Sequence, residues 1–480
     1  MSSRLPLAGV LRLGRPSDIW FKPALSVVAA VAPPNLALLV LGRLDLAMYT
    51  MAGSLCALYA HNRPYAARAR ALAWVILGML GGLATALLTA SLTRSAVVLV
   101  AVGAVLAAVQ KVLCDATRVG PPGNVVLTFI SSAALFVPQS PDRIPGHPGL
   151  AAAAGAWAWL VGMAPGLLRP HGPERRATAA ALNAAAAHAE AHGTGQDTTA
   201  THTATVTAVQ AARQALRSTD ATPSSTAPET HRALERLMVR AEVALAAPSD
   251  ADPAPLRDWA RQVRGNRPVP EVPHLTGVDS KLAPRPGPLW HRVRPLAPLA
   301  LRTALGCALA GYASLALGIG RPYWALVTAA SLYQADLALT WGRGVQRVVG
   351  NLLGVLFFAA LVPLAHTGEV ALVLCCLALN FGAEALIGRN YWLGSVCVTP
   401  MALLITEFGG FQQPGPLIAE RVVDTLVGAL VGLAAAVVVP HRKRVVRAER
   451  AGPRTLAATG SSRGRHPDQR TGNTTEGVRP

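Results

Sequence analysis

The sequence predicts an all-α polytopic membrane protein, with two parallel repeats of six transmembrane helices and a helical cytoplasmic insert between them. Three observations lead to this fold class. The chain of 480 residues is 52% hydrophobic and only 14% charged, which is too apolar for an ordinary soluble protein. Apolar stretches of about 20 residues, the length that crosses a bilayer, recur in two groups. Much of the net charge of +19 lies at the ends of those stretches.

The chain divides into five parts. The N-terminal arm is basic, and no short apolar stretch with a small-residue cleavage site follows it, so we expect a cytoplasmic arm and not a removed signal peptide. The end of the chain is basic and then rich in Gly, Ser and Thr, a composition that predicts disorder. The predicted parts are the arm at 1–22, the first membrane block at 23–168, the helical cytoplasmic domain at 169–298, the second membrane block at 299–440 and the disordered cytoplasmic tail at 441–480.

Each membrane block contains six candidate crossings, and the second crossing of the first block is the weakest because it is short. In the first block the candidates are 23–42, 45–61, 71–91, 95–113, 123–139 and 149–168. In the second block they are 299–318, 322–340, 348–366, 369–388, 391–408 and 421–440.

The positions of lysine and arginine test this count, because cytoplasmic loops are enriched in both residues. With the N-terminus inside, the flanks that face the cytoplasm hold 23 of these residues and the outer flanks hold five. A missed crossing would exchange the cytoplasmic and outer flanks that follow it, and this bias in lysine and arginine would be lost. We therefore expect a multi-pass protein of the plasma membrane with both termini in the cytoplasm. The five outer cations are Arg43, Arg94, Arg143, Arg321 and Arg421.

The two blocks resemble each other in sequence. LVGMAPGLLRPH at 160–171 matches LVGLAAAVVVPH at 430–441 in six of twelve positions. Small residues four apart allow helices to approach closely in lipid, and they too recur. Gly78 and Gly82 align with Gly350 and Gly354. We assign helix packing to four glycines of the second block: Gly350, Gly354, Gly428 and Gly432.

The insert is rich in alanine and has helical periodicity. RRATAAALNAAAAHAEAH, TVTAVQAARQALRS and ETHRALERLMVRAEVALAA predict three amphipathic helices, and PAPLRDWARQVRG predicts a fourth. Polar linkers separate these segments. We expect partial disorder around 193–205 and 219–228.

Two arginines stand between apolar runs in LTWGRGVQRVVGN, residues 339–351. On the helix count above, Arg343 and Arg347 fall in the cytoplasmic loop between the eighth and ninth helices. Four residues apart on a helix, they face the same side. Two interpretations stay open: anchors bound to lipid headgroups, or a cationic mouth that gathers anions. Arginine suits a carboxylate because its planar fork donates two hydrogen bonds.

Acidic residues inside crossings are costly in lipid and mark candidate proton-coupling sites. Asp336 in the eighth helix and Glu384 in the tenth lie at similar depths. Each either pairs with an arginine or relays protons. Arg421 and Asp424, near the outer end of the last helix, are expected to pair with each other or to anchor the interface.

The sequence contains no pattern that supports enzyme chemistry, a cofactor or nucleic-acid binding. It has no P-loop, G-x-S-x-G or H-E-x-x-H pattern, and no zinc-finger, RNA-binding or helix-turn-helix pattern. His188 and His192 lack further ligands at metal-binding spacing, so we predict no metal site. The six cysteines lie in or beside apolar segments and form no C-x-x-C pair, which favours small buried side chains.

Residues 321–356, RPYWALVTAASLYQADLALTWGRGVQRVVGNLLGVL, resemble the signature of the fusaric acid resistance protein-like family, also called aromatic acid exporters. Asn351 replaces the threonine usual in that signature, and 421–440 is similar to the closing helix of the family. The resemblance is specific over 299–440 and diffuse over 23–168. The matching residues are Tyr323, Trp324, Ala325, Thr328, Arg343, Arg347, Gly350 and Gly354.

The resemblance implies a membrane transporter for the efflux of aromatic or other organic acids. With the residues above, it predicts a proton-coupled secondary transporter of a small organic anion, either monomeric or homo-oligomeric, in contact with the lipid bilayer. The candidates for the substrate entrance are Arg343, Arg347, Tyr323 and Trp324. The alternative is a membrane scaffold that does not transport and that regulates envelope machinery through its cytoplasmic helices.

Overall fold

The computed structural model describes most of the chain and is helical throughout the part it describes. The described residues are 9–14, 20–140, 144–220, 228–265, 268–272, 288–334 and 337–438. Asp336 and the predicted tail at 441–480 lie outside these ranges.

Seventeen α-helices are found in the described residues, and no strand. Those of the first membrane block are α1 Phe21–Val40, α2 Ala47–Ser54, α3 Tyr65–Leu92, α4 Ala96–Thr117, α5 Val125–Leu135 and α6 Gly146–Leu168. Those of the insert are α7 Gly172–Gly193, α8 Thr199–Asp220, α9 Pro228–Ala246, α10 Pro253–Arg264 and the short α11 Leu289–Val293. Those of the second block are α12 Ala297–Ala316, α13 Tyr323–Leu332, α14 Leu337–Ala365, α15 Glu369–Ile387, α16 Tyr391–Ile405 and α17 Pro414–Val438.

Nine helical segments of the described part are long and apolar enough to cross a membrane, so the chain is a multi-pass membrane protein. They are α1, α3, α4, α6, α12 with the short helix before it, α14, α15, α16 with the turn after it, and α17. The predicted crossings at 45–61, 123–139 and 322–340 contain shorter apolar helices, Leu44–Leu58, Val125–Leu135 and Tyr323–Leu332. The expectation of twelve full-length crossing helices therefore holds for nine of the twelve.

Local contacts explain one of these short helices. The backbone leaves the helix at Tyr333, which is extended. Arg302 of α12 donates from Nη2 to the carbonyl of Gln334 at 3.0 Å, and its guanidinium lies 5.1 Å from the centre of the Tyr333 ring. This tertiary contact interrupts an apolar run that the sequence alone would continue as one helix.

Glycines allow the closest helix approaches in the second block. A Cβ on Gly350 would lie 2.6 Å from the Cβ of Ser395, and one on Gly354 would lie 2.7 Å from the Cβ of Thr399. These two glycines therefore bring α14 against α16. Gly428 has the same role for α17, where an added Cβ would lie 2.5 Å from the carbonyl oxygen of Ala325 in α13. Gly432, one turn further along α17, packs on Leu332 of α13.

The two membrane blocks share a hydrophobic core. One buried cluster joins Val31 and Met51 of the first block to Trp324, Phe358 and Leu403 of the second. Between the blocks, α1 packs on α15, α4 on α12 and α5 on α13. Because both blocks bury the same cluster, they form a single body.

The insert has a core of its own, in which Leu182, Leu216, Leu237 and Val263 pack together from α7 to α10. Each of the four segments predicted to be helical overlaps one of these four helices. Disorder at 193–205 was expected, but α8 already begins at Thr199. Its start is stabilised by Asp197, which accepts from the Thr199 backbone N–H at 2.9 Å and from its hydroxyl at 2.7 Å. Of the second stretch expected to be disordered, 221–227 lies outside the described residues.

Candidate functional site

A cavity of about 690 Å³ lies between the two membrane blocks. The first block contributes the end of α4 and the start of α5 with the loop between them. The second block contributes residues of α13 to α17. Apolar side chains such as Phe129, Val398 and Met401 form much of the wall. Polar and charged side chains, including several arginines, form the rest of the lining.

Three polar residues recur every four positions along α14. Arg343, Arg347 and Asn351 lie on one face of this helix, about 6 Å apart along its axis. Both arginines line the cavity, and Asn351 lies one turn beyond them. The sequence predicts Arg343 and Arg347 in a loop before a helix that starts at 348. The helix in fact begins at Leu337, so the prediction of a loop is wrong.

Tyr391, at the start of α16, contacts both arginines. The guanidinium of Arg343 lies over its ring, 3.9 Å from the ring centre, as in a cation–π contact. Arg347 donates from Nη1 to the Tyr391 hydroxyl at 3.1 Å. Arg347 is only 3% exposed, and its Nε has no partner among the described residues. One aromatic ring thus orients two arginines toward the same space.

A third arginine, Arg421 of α17, lies deeper in the cavity and is 1% exposed. Its guanidinium lies 4.0 Å from the centre of the Trp324 ring, and Nη2 donates a long hydrogen bond of 3.4 Å to Oδ1 of Asn351. Nε and Nη1 find no partner in the described part of the chain. The sequence predicts Arg421 near the outer end of a helix that starts at 421. α17 begins at Pro414, so the predicted start is wrong and Arg421 lies two turns inside the helix.

Asn351 joins three helices at the level of Arg421. Its Nδ2 donates to the Thr425 hydroxyl of α17 at 3.1 Å. Its Oδ1 accepts from the Thr399 hydroxyl of α16 as well as from Arg421. The asparagine that departs from the family signature therefore fixes the orientation of the deepest arginine.

Positive charge predominates along the described lining. Its basic residues are Lys111, Arg118, Arg343, Arg347 and Arg421, and its acidic residues are Asp115 and Glu384. Asp115 is already paired with Lys111 at 3.1 Å. Within the described ranges, no carboxylate lies within ion-pair distance of the three arginines Arg343, Arg347 and Arg421. The arrangement leaves guanidinium N–H groups available for an anion.

Four of the residues that the sequence predicted for the site line this one cavity: Arg343, Arg347, Trp324 and Glu384. Tyr323 is buried beside the cavity, with its ring 4.8 Å from Trp324 and 5.8 Å from Phe136. Asp336 lies outside the described residues. Gly350 and Gly354 lie at the helix contact behind the arginines.

Sequence reasoning missed Tyr391 as a site residue and misjudged Arg421 and Asn351. The dipeptide Tyr-Trp at 391–392 repeats the Tyr-Trp at 323–324, and that repeat was a usable signal. Arg421 would have been recognised as an arginine within a membrane helix if the apolar run from Pro416 had been counted into the last crossing.

Comparison with known proteins confirms the family resemblance of the second block. A family model described as fusaric acid resistance protein-like matches residues 307–435. The uncharacterized membrane protein YvaC of Bacillus subtilis is 34% identical over 122 residues, which is 25% of this chain and 19% of that protein. An uncharacterized protein of Haemophilus influenzae is 32% identical over 143 residues, or 29% of this chain and 18% of that protein. The chain thus matches less than a fifth of the length of these relatives.

No solved structure matches the chain. Taken together, the family match and the apolar helices indicate a multi-pass, transporter-like membrane protein.

Proposed function

We propose that the protein is a secondary transporter of the cell membrane that exports aromatic or other organic acids as their anions, and that this export is coupled to protons. The observation that carries the proposal is the set of three arginines in one cavity, without a carboxylate partner in the described part of the chain. Buried cations without partners are expensive, and an anionic ligand offsets that cost.

The size and the walls of the cavity fit a small amphipathic acid. A volume of about 690 Å³ lies within the usual range for small-molecule sites. Phe129, Met401 and Trp324 offer apolar surface to the body of such a ligand. Arg347 and Arg421 offer N–H donors to a carboxylate. A neutral or cationic substrate would leave those donors unused.

The orientation follows from the distribution of charge. With both termini and the insert in the cytoplasm, the loop of Arg118 and the loop of Arg389 face the cytoplasm, and the cavity begins at those loops. In this orientation the substrate enters from the cytoplasm, as an exporter requires. Reporter fusions after Leu92, Gly146 and Thr367 should read as external, and an internal signal at any of the three would contradict this topology.

Helix pairing supports the proposed arrangement of two parallel six-helix repeats. The first helix of each block packs on the fourth of the other, α1 on α15 and α12 on α4. Within the blocks, the second helix packs on the sixth and the third on the fifth in both cases. Such symmetry suits alternating access by rocking of one block against the other, with the substrate site between them.

Glu384 is the described candidate for proton coupling at the cavity wall. It lies on α15 and lines the same cavity as the arginines, and it has no ion-pair partner within the described ranges. A carboxylate without an ion-pair partner can take up and release a proton at the cavity wall without breaking an existing ion pair. Asp336 remains a second candidate from the sequence.

Uptake into inverted membrane vesicles tests the proposal. Vesicles with the protein should accumulate members of a panel of aromatic and aliphatic carboxylic acids when a proton gradient is imposed. Arg347→Gln should lower this uptake at least about tenfold, the effect of losing one charge-assisted hydrogen bond. The matched control is Arg43→Gln, which removes an exposed arginine paired with Asp45.

Absence of uptake across the whole panel, with the protein inserted normally, would contradict transport of acids. It would favour the scaffold function in which the α7–α10 helices act on other proteins.

A further inference from the structure

Asp424 is a buried carboxylate that has no role in the transport function proposed above. It lies in α17 and is 0% exposed. The hydroxyl of Ser314 in α12 donates to its Oδ1 at 2.6 Å. Its Oδ2 is buried and has no partner among the described residues. Asp424 does not line the cavity, but lies behind the residues that do.

The deepest arginine of the cavity lies one helical turn from this carboxylate. Arg421 and Asp424 are three apart in α17 and share a helix face. They do not form an ion pair; instead, the guanidinium of Arg421 stacks on Trp324. Arg421 is therefore near enough to interact electrostatically with Asp424, and its free N–H groups stay available to a ligand.

The other polar groups around Asp424 are few. Glu420 on the same helix is paired with Arg321 at 3.5 Å. Tyr323 approaches from α13 and Ser314 from α12. From α14, Asn351 contributes a neutral amide that is bound to Thr425. Arg421 is thus the nearest cation of the described chain that can balance an ionised Asp424.

We infer that Asp424 is a proton-binding site whose occupancy controls the affinity of the cavity for a carboxylate at Arg421. An ionised carboxylate within the membrane needs a cation, and an anion in the cavity needs the same guanidinium. When the substrate occupies Arg421, Asp424 loses its balancing charge and takes a proton from water on Oδ2. One O–H bond forms at Asp424, and the hydroxide left by the water joins the solvent.

Anion binding and protonation then reinforce each other. Linkage is reciprocal, so the proton raises anion affinity by the factor by which the anion raises proton affinity. For a single proton, the dissociation constant changes by at most about tenfold per pH unit. This inference rests on the proposed function, because it needs an anion at Arg421. It adds Asp424 as the residue that binds the proton. It also adds that proton binding and anion binding strengthen each other.

The experiment measures the binding of benzoate, as a probe carboxylate, to the full chain in lipid nanodiscs by titration calorimetry between about pH 5 and pH 8. For the wild type, the dissociation constant should rise with pH. Asp424→Asn mimics the protonated side chain, so it should bind benzoate tightly with the pH dependence lost. Ser314→Ala removes a donor that stabilises the ionised form, so the pH dependence should move to higher pH. Glu369→Gln removes an exposed carboxylate at the start of α15, and should keep the wild-type profile.

The outcomes separate this inference from the proposed function. If benzoate binds and Asp424→Asn keeps the wild-type pH dependence, the proton site is wrong and the anion site stands. If benzoate does not bind to the wild type at any pH, the carboxylate site itself is contradicted, and the inference fails with it. If Asp424→Asn does not fold, the Ser314→Ala profile decides: an unmoved profile overturns the inference.

Discussion

Each membrane block contains a network of buried polar side chains around one amide residue, and the two networks differ in charge. In the first block, Gln110 of α4 donates to Ser131 at 2.9 Å and accepts from Thr128 at 3.0 Å, while Asn124 donates to Thr128 at 3.2 Å. This network is neutral, and its members satisfy one another. In the second block, the network around Asn351 includes Arg421, which keeps N–H groups without partners in the described chain. The first network is complete without a ligand, and the second is not.

This difference assigns separate roles to two blocks of similar helix pairing. A closed neutral network stabilises helix contacts and has no donors left for a substrate. A network with a buried, incompletely satisfied guanidinium costs stability and is retained where a ligand completes it. We therefore place recognition of the carboxylate on the second block and a supporting role on the neutral network of the first. The predictions below test this division, from the largest expected effect to the smallest.

The largest effect is expected from Arg421→Gln. The change removes the deepest cation of the cavity while keeping an amide that can bond to Asn351. Loss of a charged, bidentate donor should lower acid uptake into inverted vesicles by about tenfold to a hundredfold. Membrane insertion, measured by immunoblot of the vesicles, should stay normal or improve. Wild-type uptake in this variant would remove Arg421 from the site.

Gln110→Leu is the counterpart in the first block. It leaves the hydroxyls of Thr128 and Ser131 without their amide partner, which should destabilise the protein by about 1–3 kcal/mol. The thermal midpoint in detergent should fall, while the concentration of acid that gives half-maximal uptake should stay within about twofold. A large loss of substrate affinity with unchanged stability would assign binding to the first block as well and would break the comparison.

Replacing both Arg343 and Arg347 with lysine separates the effect of positive charge in the cavity from the effect of guanidinium geometry. Lysine keeps the charge but loses the planar fork, the stacking on Tyr391 and the bond to its hydroxyl. Half-maximal uptake should require several-fold more acid, about 1 kcal/mol of lost binding. If the double variant transports like the wild type, then charge alone matters, and the two arginines are membrane anchors.

Glu384→Gln should give the smallest change in affinity. Glu384 lines the cavity and bonds to no described residue, so its removal leaves the arginines in place. The expected result is unchanged binding of the acid together with uptake that no longer responds to the proton gradient. Gradient-driven uptake at the wild-type rate would exclude Glu384 from coupling.

Much of the fold was predictable because hydropathy reports lipid contact directly. Long apolar runs correctly located nine crossing helices, and glycine spacing located the contacts of α14 and α17. What failed was the treatment of arginine. Arg343, Arg347 and Arg421 were counted as signs of a loop or an interface, although all three lie within helices and face a cavity or aromatic rings. A hydropathy analysis does not distinguish an arginine at the membrane interface from an arginine that faces a cavity inside the protein.

Several residues of the site were predictable from the sequence, but the contacts between them were not. Arg347, Trp324 and Glu384 were each named from local pattern, and the structure places them around one cavity. Tyr391 was not predicted, and Asn351 was noted only as a departure from the family signature. Their importance comes from contacts across 44 and 70 residues of chain, with Arg347 and Arg421 respectively. Such contacts arise only when the helices pack.

The most direct test of the central claim is to locate a bound carboxylate. The structure of the full chain with 4-bromobenzoate should be determined, with the bromine marking the ligand by anomalous scattering. We expect the carboxylate within hydrogen-bond distance, about 3 Å, of Arg421 or Arg347, and the ring against Trp324 or Phe129. Density for the ligand outside this cavity, with Arg421 still stacked on Trp324 and the cavity free of anion, would contradict the account.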